Sequence, residues 1–99
     1  KGFDTSCPIG PWIETEFDAS DAEIKVSVDG EKRQQGRTSQ MIFAIDYIIE
    51  YISKTFTLLP GDIILTGTPS GVGLLPPGSR VDVSVSGIGT LSNKVVRHD

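Results

Sequence analysis

Cysteine and histidine are scarce in this sequence, which limits the chemistry that its side chains can carry. The single Cys7 has no partner for an internal disulfide. Only His98, at the far end of the chain, could serve as its basic partner, and no third group orients the pair, so a cysteine nucleophile is not expected. We interpret Cys7 as a small, semi-buried apolar residue and His98 as a surface residue.

Clustered positive charge is also lacking. The nine basic residues form no run or stripe that could follow a phosphate backbone, and thirteen acidic residues leave a net charge of -4. Neutralisation of phosphates by lysine and arginine supplies much of the affinity of nucleic-acid binding proteins. Nucleic acid is therefore not expected as a partner.

Long apolar runs are lacking as well, and a secretory leader is not expected. Asp46, Glu50 and Lys54 interrupt the longest apolar stretches, so no segment reaches the roughly 20 apolar residues of a membrane span. No charged start is followed by an apolar region, as it is in a signal peptide. We expect no membrane partner and, with a lone cysteine, a cytoplasmic location.

The apolar residues that are present predict short strands. β-branched residues alternate with polar ones over 23–28 and lead to Asp29 and Gly30, which is a hairpin signal. The same alternation predicts strands over 81–85 and near 90–96. The apolar run 63–65 ends abruptly at a glycine and is interpreted as a buried strand, and a further strand is considered around 12–15.

One stretch has the period of a helix instead of a strand. Isoleucines at positions 45, 48, 49 and 52 share one side and polar residues share the other, which predicts one main helix over about 42–55. One helix cannot supply the crossovers that a parallel sheet needs. The predicted fold class is therefore α+β, mostly antiparallel β, in one compact domain.

Two segments could carry chemistry. Three glycines and a proline in the loop 67–73 would let its backbone approach a ligand closely, and Thr68 and Ser70 add hydroxyl groups. A plain glycine-rich connection explains that loop equally well. Glu14 and Glu16 could share a metal ion if they lay on one strand face, but two solvated surface acids are the favoured interpretation.

Three stretches in order carry a family resemblance. They are the segment from Lys1 to Trp12 (KGFDTSCPIGPW), the segment 36–43 (GRTSQMIF) and the segment 59–73 (LPGDIILTGTPSGVG). Together they resemble the fumarylacetoacetate hydrolase family over essentially the whole chain. The resemblance implies a fumarylacetoacetase carboxyl-terminal-domain-like mixed β-sheet fold, with residues 1–99 as the carboxyl-terminal portion of one catalytic domain.

The resemblance also implies a site. Lys1 falls on the family's active-site lysine. Thr68 and Gly67 fall where the family binds the carboxylate or oxo group of the substrate. Thr5 falls where some members place a hydroxyl near a second cation. The family's main carboxylate ligands for Mg²⁺ or Mn²⁺ lie upstream of the matched region, so none of them is expected in this chain.

The implied function is that of a metal-dependent hydrolase cleaving a C–C bond in acylpyruvate-like or fumarylpyruvate-like 2,4-dioxo acids. An isomerase or decarboxylase of 2-hydroxyhepta-2,4-dienedioate-type acids is the alternative within the family. A catalytically silent binding or scaffold domain of the same fold is the alternative from another class. In either enzyme the partner is a small 2-oxo or 1,3-dicarbonyl acid, and a homodimer is expected.

Overall fold

The computed structural model describes residues 2–98, which form one antiparallel sheet of four strands and one α-helix. The strand order in the sheet is β2-β1-β3-β4. The elements are β1 (Glu23–Val28), β2 (Glu31–Arg37), α1 (Ile45–Ser53), β3 (Arg80–Val85) and β4 (Gly89–Lys94), with a short 3-10 turn at Thr38–Gln40. This confirms the predicted α+β class with antiparallel pairing.

The first hairpin turn forms where the sequence predicts it. Both turn residues have a positive φ, 50° at Asp29 and 81° at Gly30, as a type I′ hairpin turn requires. The Asp29 carboxylate accepts a hydrogen bond from the backbone N–H of Arg80 at 2.8 Å, and its own N–H donates to the Arg80 carbonyl at 2.9 Å. The turn is thereby joined to the start of β3.

The two faces of the sheet differ in polarity. Cross-strand partners share a face, and the pairs Ile24 with Val85, Val26 with Val83, and Val28 with Val81 form an apolar face. On the opposite, polar face, Lys25 pairs with Ser84 and Ser27 with Asp82. Among the described residues the buried apolar ones are Ala22 and Val28, so the core is thin.

Strand β2 contains a β-bulge. Val26 pairs with Gln34, whereas the next residue, Ser27, pairs with Lys32. Arg33 is the additional residue and has no partner on β1. The bulge matters for the site because it shifts the alternation of side chains between the two faces.

The amino-terminal segment packs on the second hairpin without forming a strand. A Cβ on Gly89 would lie 3.0 Å from the Trp12 ring, and one on Gly87 would lie 3.3 Å from the Phe17 ring. Residues 12–15 have no strand structure, and Cys7 is exposed. The prediction of a strand over 12–15 and of a semi-buried Cys7 was therefore wrong.

The helix is shorter than predicted. It begins after Ala44, which is extended, and ends at Ser53, whereas the prediction was about 42–55. Ile45, Ile48 and Ile52 of the predicted apolar side are half-buried, whereas Ile49, the fourth residue of that side, is 44% exposed. No helix within residues 2–98 is long and apolar enough to cross a membrane.

The apolar run 63–65 is not a buried strand. Ile63 is 58% exposed and Leu65 is 76% exposed, and neither residue pairs with a strand of the described part of the chain. A strand needs backbone partners as well as apolar side chains. The sequence supplied the apolar pattern, but residues 2–98 offer no neighbouring strand at this point.

Candidate functional site

The loop 67–73 lies directly against β2, at an edge of the sheet. A Cβ on Gly71 would lie 2.0 Å from the carbonyl oxygen of Arg33, and one on Gly36 would lie 3.1 Å from Cβ of Pro69. Gly71 also has a φ of 103°, a conformation that costs a residue with a Cβ substantial strain. Glycine at position 71 is therefore a condition for this close backbone approach.

Gln34 fastens the loop to β2. Its Nε2 donates hydrogen bonds to Oγ1 of Thr68 at 2.9 Å and to the carbonyl oxygen of Pro69 at 2.7 Å. A carbonyl oxygen can only accept, so the amide nitrogen and not the amide oxygen must face Pro69. The orientation of the side chain is thus fixed by chemistry.

Thr68 is left with a free donor. Its hydroxyl oxygen accepts from Gln34, and within residues 2–98 it donates no hydrogen bond. A hydroxyl combines one donor with two acceptor lone pairs. Thr68 is exposed, and the neighbouring Gly67, with a φ of 96°, has open space where a Cβ would stand. A ligand oxygen can therefore approach both residues.

Thr68 and Gly67 lie at a largely apolar cavity of about 580 Å³. The apolar sheet face contributes Ile24 and Val85 to it, and α1 contributes Ile45 and Ile48. Small-molecule sites are commonly apolar clefts with a few placed polar groups. The structure therefore brings Gly67 and Thr68, both predicted to bind substrate, into one lining.

A charged cluster stands beside the cavity. Arg37, which lines it, donates through Nε to Oδ1 of Asp21 at 2.7 Å, and the Ser39 hydroxyl donates to the same oxygen at 2.6 Å. These two donors, the guanidinium first, hold the pKa of Asp21 below its ordinary value. The pair is solvent-exposed, so it fixes geometry more than it adds stability.

The remaining predicted residues do not join this lining. Lys1 lies outside the described residues. Thr5 is exposed and absent from the cavity lining, but its φ of 65° is rare for a β-branched residue. Glu14 and Glu16 are exposed, and the Glu16 N–H donates to the Glu14 carboxylate at 3.0 Å, so they are surface acids outside any strand.

The residues present do not supply a divalent-metal site. Within residues 2–98 no group of three or more His, Cys, Asp or Glu side chains is placed to hold a metal ion. Hard divalent cations such as Mg²⁺ take several oxygen ligands, carboxylates above all. Residues 2–98 therefore do not form such a site by themselves.

Sequence reasoning missed Gln34 as part of the site. It lies in a polar run that carried no motif, and its role depends on a loop 34 residues away. Gly36 was the available signal, because an isolated glycine inside a strand often marks a bulge or a close backbone approach. Here Gly36 accommodates Pro69, next to the residue that Gln34 holds.

Comparison with known proteins adds family membership. The family described as fumarylacetoacetate (FAA) hydrolase C-terminal matches residues 1–96. Protein Rv2993c of Mycobacterium tuberculosis is 54% identical over 98% of this chain and 38% of its own length. A 5-carboxymethyl-2-hydroxymuconate delta-isomerase from Mycobacterium smegmatis has a TM-score of 0.96 at 53% identity, over 99% of this chain and 39% of that one.

A second solved structure extends the comparison. It is maleylpyruvate hydrolase from Sphingobium sp. SYK-6 in complex with manganese(II) and pyruvate, with a TM-score of 0.93 at 37% identity. It matches 98% of this chain and 38% of that one, so the chain spans well under half the length of these relatives. The fold, the order of the motifs and the family match agree. The chain belongs to the fumarylacetoacetate hydrolase family and corresponds to its carboxyl-terminal region.

Proposed function

We propose that the complete protein is an enzyme that acts on a small 2-oxo or 1,3-dicarbonyl acid. The observation that carries this proposal is the hydroxyl of Thr68, which donates no hydrogen bond within residues 2–98 and is held by Gln34 at the rim of a largely apolar cavity. A carboxylate or oxo oxygen is the matching acceptor. The open backbone at Gly67 leaves room for that oxygen, and the apolar lining suits the carbon skeleton of such an acid.

The proposed reaction is hydrolytic cleavage of a C–C bond in an acylpyruvate-like or fumarylpyruvate-like 2,4-dioxo acid. Cleavage next to a ketone places negative charge on the oxo oxygen. The Thr68 hydroxyl would hold the carboxylate or oxo end of the acid already in the bound substrate, so it would contribute mainly to binding. The maleylpyruvate hydrolase relative supports this class of substrate. Its manganese supports Mg²⁺ or Mn²⁺ as the cofactor, with ligands outside residues 2–98.

Isomerisation or decarboxylation of a 2-hydroxyhepta-2,4-dienedioate-type acid is the second candidate. One observation favours it: the delta-isomerase relative is 53% identical to this chain, against 37% for the hydrolase relative. Both reactions pass through the same enolate-like charge, so the contacts of Thr68 would serve either one. The difference depends on a base that activates water, which hydrolysis requires and isomerisation does not.

A substrate comparison tests these candidates in the complete protein. We expect turnover of acetylpyruvate as the hydrolase probe, loss of activity after treatment with EDTA, and recovery with Mg²⁺ or Mn²⁺. Turnover of 2-hydroxyhepta-2,4-dienedioate without hydrolysis of acetylpyruvate would favour the isomerase. If the metal-loaded protein turns over neither acid, the catalytically silent domain becomes the better description.

Thr68→Val in the complete protein is expected to weaken substrate binding. The change removes one hydroxyl group and nearly preserves the side-chain volume, so the loss should be on the order of 1 kcal/mol or somewhat more, about a fivefold rise in KM. Steady-state kinetics with acetylpyruvate measures it. The matched control is Thr90→Val, at an exposed position of β4 outside the cavity. Unchanged kinetics in both variants would show that the loop is only a structural connection.

We also propose a homodimer in the cytoplasm. Phe43, which precedes α1, stacks on Tyr47 of the helix, and Tyr47 stacks on Tyr51, with ring centroids 5.3 Å and 6.5 Å apart. All three rings remain at least half exposed. Exposed apolar surface of this kind commonly marks an interaction site.

The low cysteine content of the chain supports the proposed cytoplasmic location.

A further inference from the structure

The bulge at Arg33 decides which face of the sheet Gln34 occupies. The turn at Asp29 and Gly30 pairs Val28 with Glu31 and Ser27 with Lys32. Continued without a bulge, this register would place Gln34 opposite Lys25, on the polar face. With the additional residue Arg33, Gln34 pairs with Val26 instead. It therefore stands on the apolar face, where the cavity lies.

Neighbouring side chains confirm the shift. Lys32 and Gln35 are three residues apart, a spacing that places residues of a regular strand on opposite faces. Nevertheless Nζ of Lys32 donates to Oε1 of Gln35 at 2.9 Å, and Nε2 of Gln35 donates to Glu23 at 3.1 Å. Both residues thus lie on the polar face. Of the two adjacent glutamines, only Gln34 reaches the loop.

The hydrogen bonds of Gln34 give it a defined chemical role. One N–H group holds the backbone through the Pro69 carbonyl, and the other meets the Thr68 hydroxyl oxygen. Since that oxygen already accepts, the remaining hydroxyl hydrogen is turned away from Gln34. A single amide group thereby holds the loop and directs the Thr68 hydroxyl hydrogen away from β2.

We propose that Gln34 is a positioning residue that presents the Thr68 hydroxyl as a donor to the substrate's carboxylate or oxo oxygen. Gln34 does not touch the substrate; it acts through Thr68. The inference rests on the proposed function, in which Thr68 contacts substrate. The β-bulge then serves to place Gln34 on the apolar face of the sheet, within reach of Thr68.

Two substitutions of Gln34 in the complete protein test the proposal. Gln34→Met removes both donors and keeps a similar length, so KM for acetylpyruvate should rise about fivefold to tenfold, with a smaller change in kcat. Gln34→Glu keeps the shape but accepts from the Thr68 hydroxyl and reverses its donation. Its carboxylate also repels the Pro69 carbonyl oxygen, so this variant should be at least as impaired as Gln34→Met, and better function of the glutamate variant would contradict the proposal.

A double-mutant cycle separates action through Thr68 from an independent effect. If Gln34 acts through the hydroxyl, adding Gln34→Met to Thr68→Val should raise KM by no more than about twofold over Thr68→Val alone. Gln35→Met, the same change at the adjacent residue of the polar face, should leave KM unchanged. Thermal unfolding of each variant checks that the fold is retained.

The outcomes distinguish the inference from the proposed function. If Thr68→Val raises KM but Gln34→Met does not, or if the two effects multiply, the positioning role is wrong and the role of Thr68 stands. If Thr68→Val leaves KM unchanged, the substrate contact itself is wrong, and the inference is overturned with it.

Discussion

Lys1→Ala in the complete protein is expected to lower kcat by at least roughly a hundredfold, the usual cost of removing one charge-stabilising donor. The family resemblance implies that the active-site lysine of the family stands at this position, and we propose that its ammonium group acts on the substrate's oxygen atoms. A group that acts mainly when charge develops in the transition state affects turnover far more than it affects metal affinity or thermal stability. Steady-state kinetics, metal titration and thermal unfolding of the same variant measure the three quantities.

Two further variants sharpen this result. Lys1→Arg should restore little activity, because a planar guanidinium cannot place its charge where a compact ammonium group stands. Lys94→Ala removes an exposed lysine at the end of β4 and should leave turnover unchanged. Near-normal turnover of Lys1→Ala would show that the family role does not apply to this residue.

Gly71→Ala is expected to lower kcat/KM by at least about tenfold, because it separates Thr68 from Gln34 and also displaces the loop that carries Thr68. The new Cβ would stand 2.0 Å from the Arg33 carbonyl oxygen. A backbone atom cannot rotate away from this clash, so the loop or β2 must move. Either movement separates Gln34 from Thr68, which steady-state kinetics with acetylpyruvate would detect.

Gly78→Ala is the matched control for this loop variant. Its φ of 88° is close to the 103° of Gly71, but a Cβ at position 78 meets nothing within 4 Å. Both substitutions place alanine at a positive φ, at a cost of roughly 1–2 kcal/mol, and should lower the melting temperature. Only Gly71→Ala should lose activity, and equal activity in the two variants would contradict the importance of the close approach.

The strands with alternating apolar residues could be predicted from sequence. β1, its turn and β3 follow directly from β-branched residues on one face and from Asp29 and Gly30. β2 could not be recognised in this way, because an edge strand with the sequence EKRQQGR carries no apolar alternation and is held by its backbone pairing to β1. The β-bulge of β2 could not be predicted either, because a strand without apolar alternation does not show where that alternation shifts.

Isolated apolar runs misled the prediction where tertiary partners decide the structure. The run 63–65 has the composition of a buried strand, but the described residues provide no strand beside it, and Leu65 is 76% exposed. The helix prediction extended too far because Ile42, at 92% exposure, continued the apolar spacing without being part of the inward side. Periodicity indicates which residues can be buried together, but not where the backbone begins to coil.

The sequence indicated some residues of the candidate site and not others. Gly67 and Thr68 were assigned to substrate binding by the family resemblance, because the composition of the loop fits a plain glycine-rich connection equally well. Gln34 has none, since its role arises from a contact across 34 residues of sequence and from a shift in strand register. Contacts of this kind depend on the fold and cannot be predicted from a short segment of sequence.

The loop that crosses β2 has a second consequence, for self-association. The outer edge of a sheet displays free N–H and C=O groups that can template another strand, and such edges lead to aggregation when they are long and flat. At Arg33 the backbone of Gly71 already occupies the approach to the carbonyl group, and the bulge twists the strand there. The arrangement that orients Thr68 therefore also blocks the addition of a foreign strand at the middle of β2.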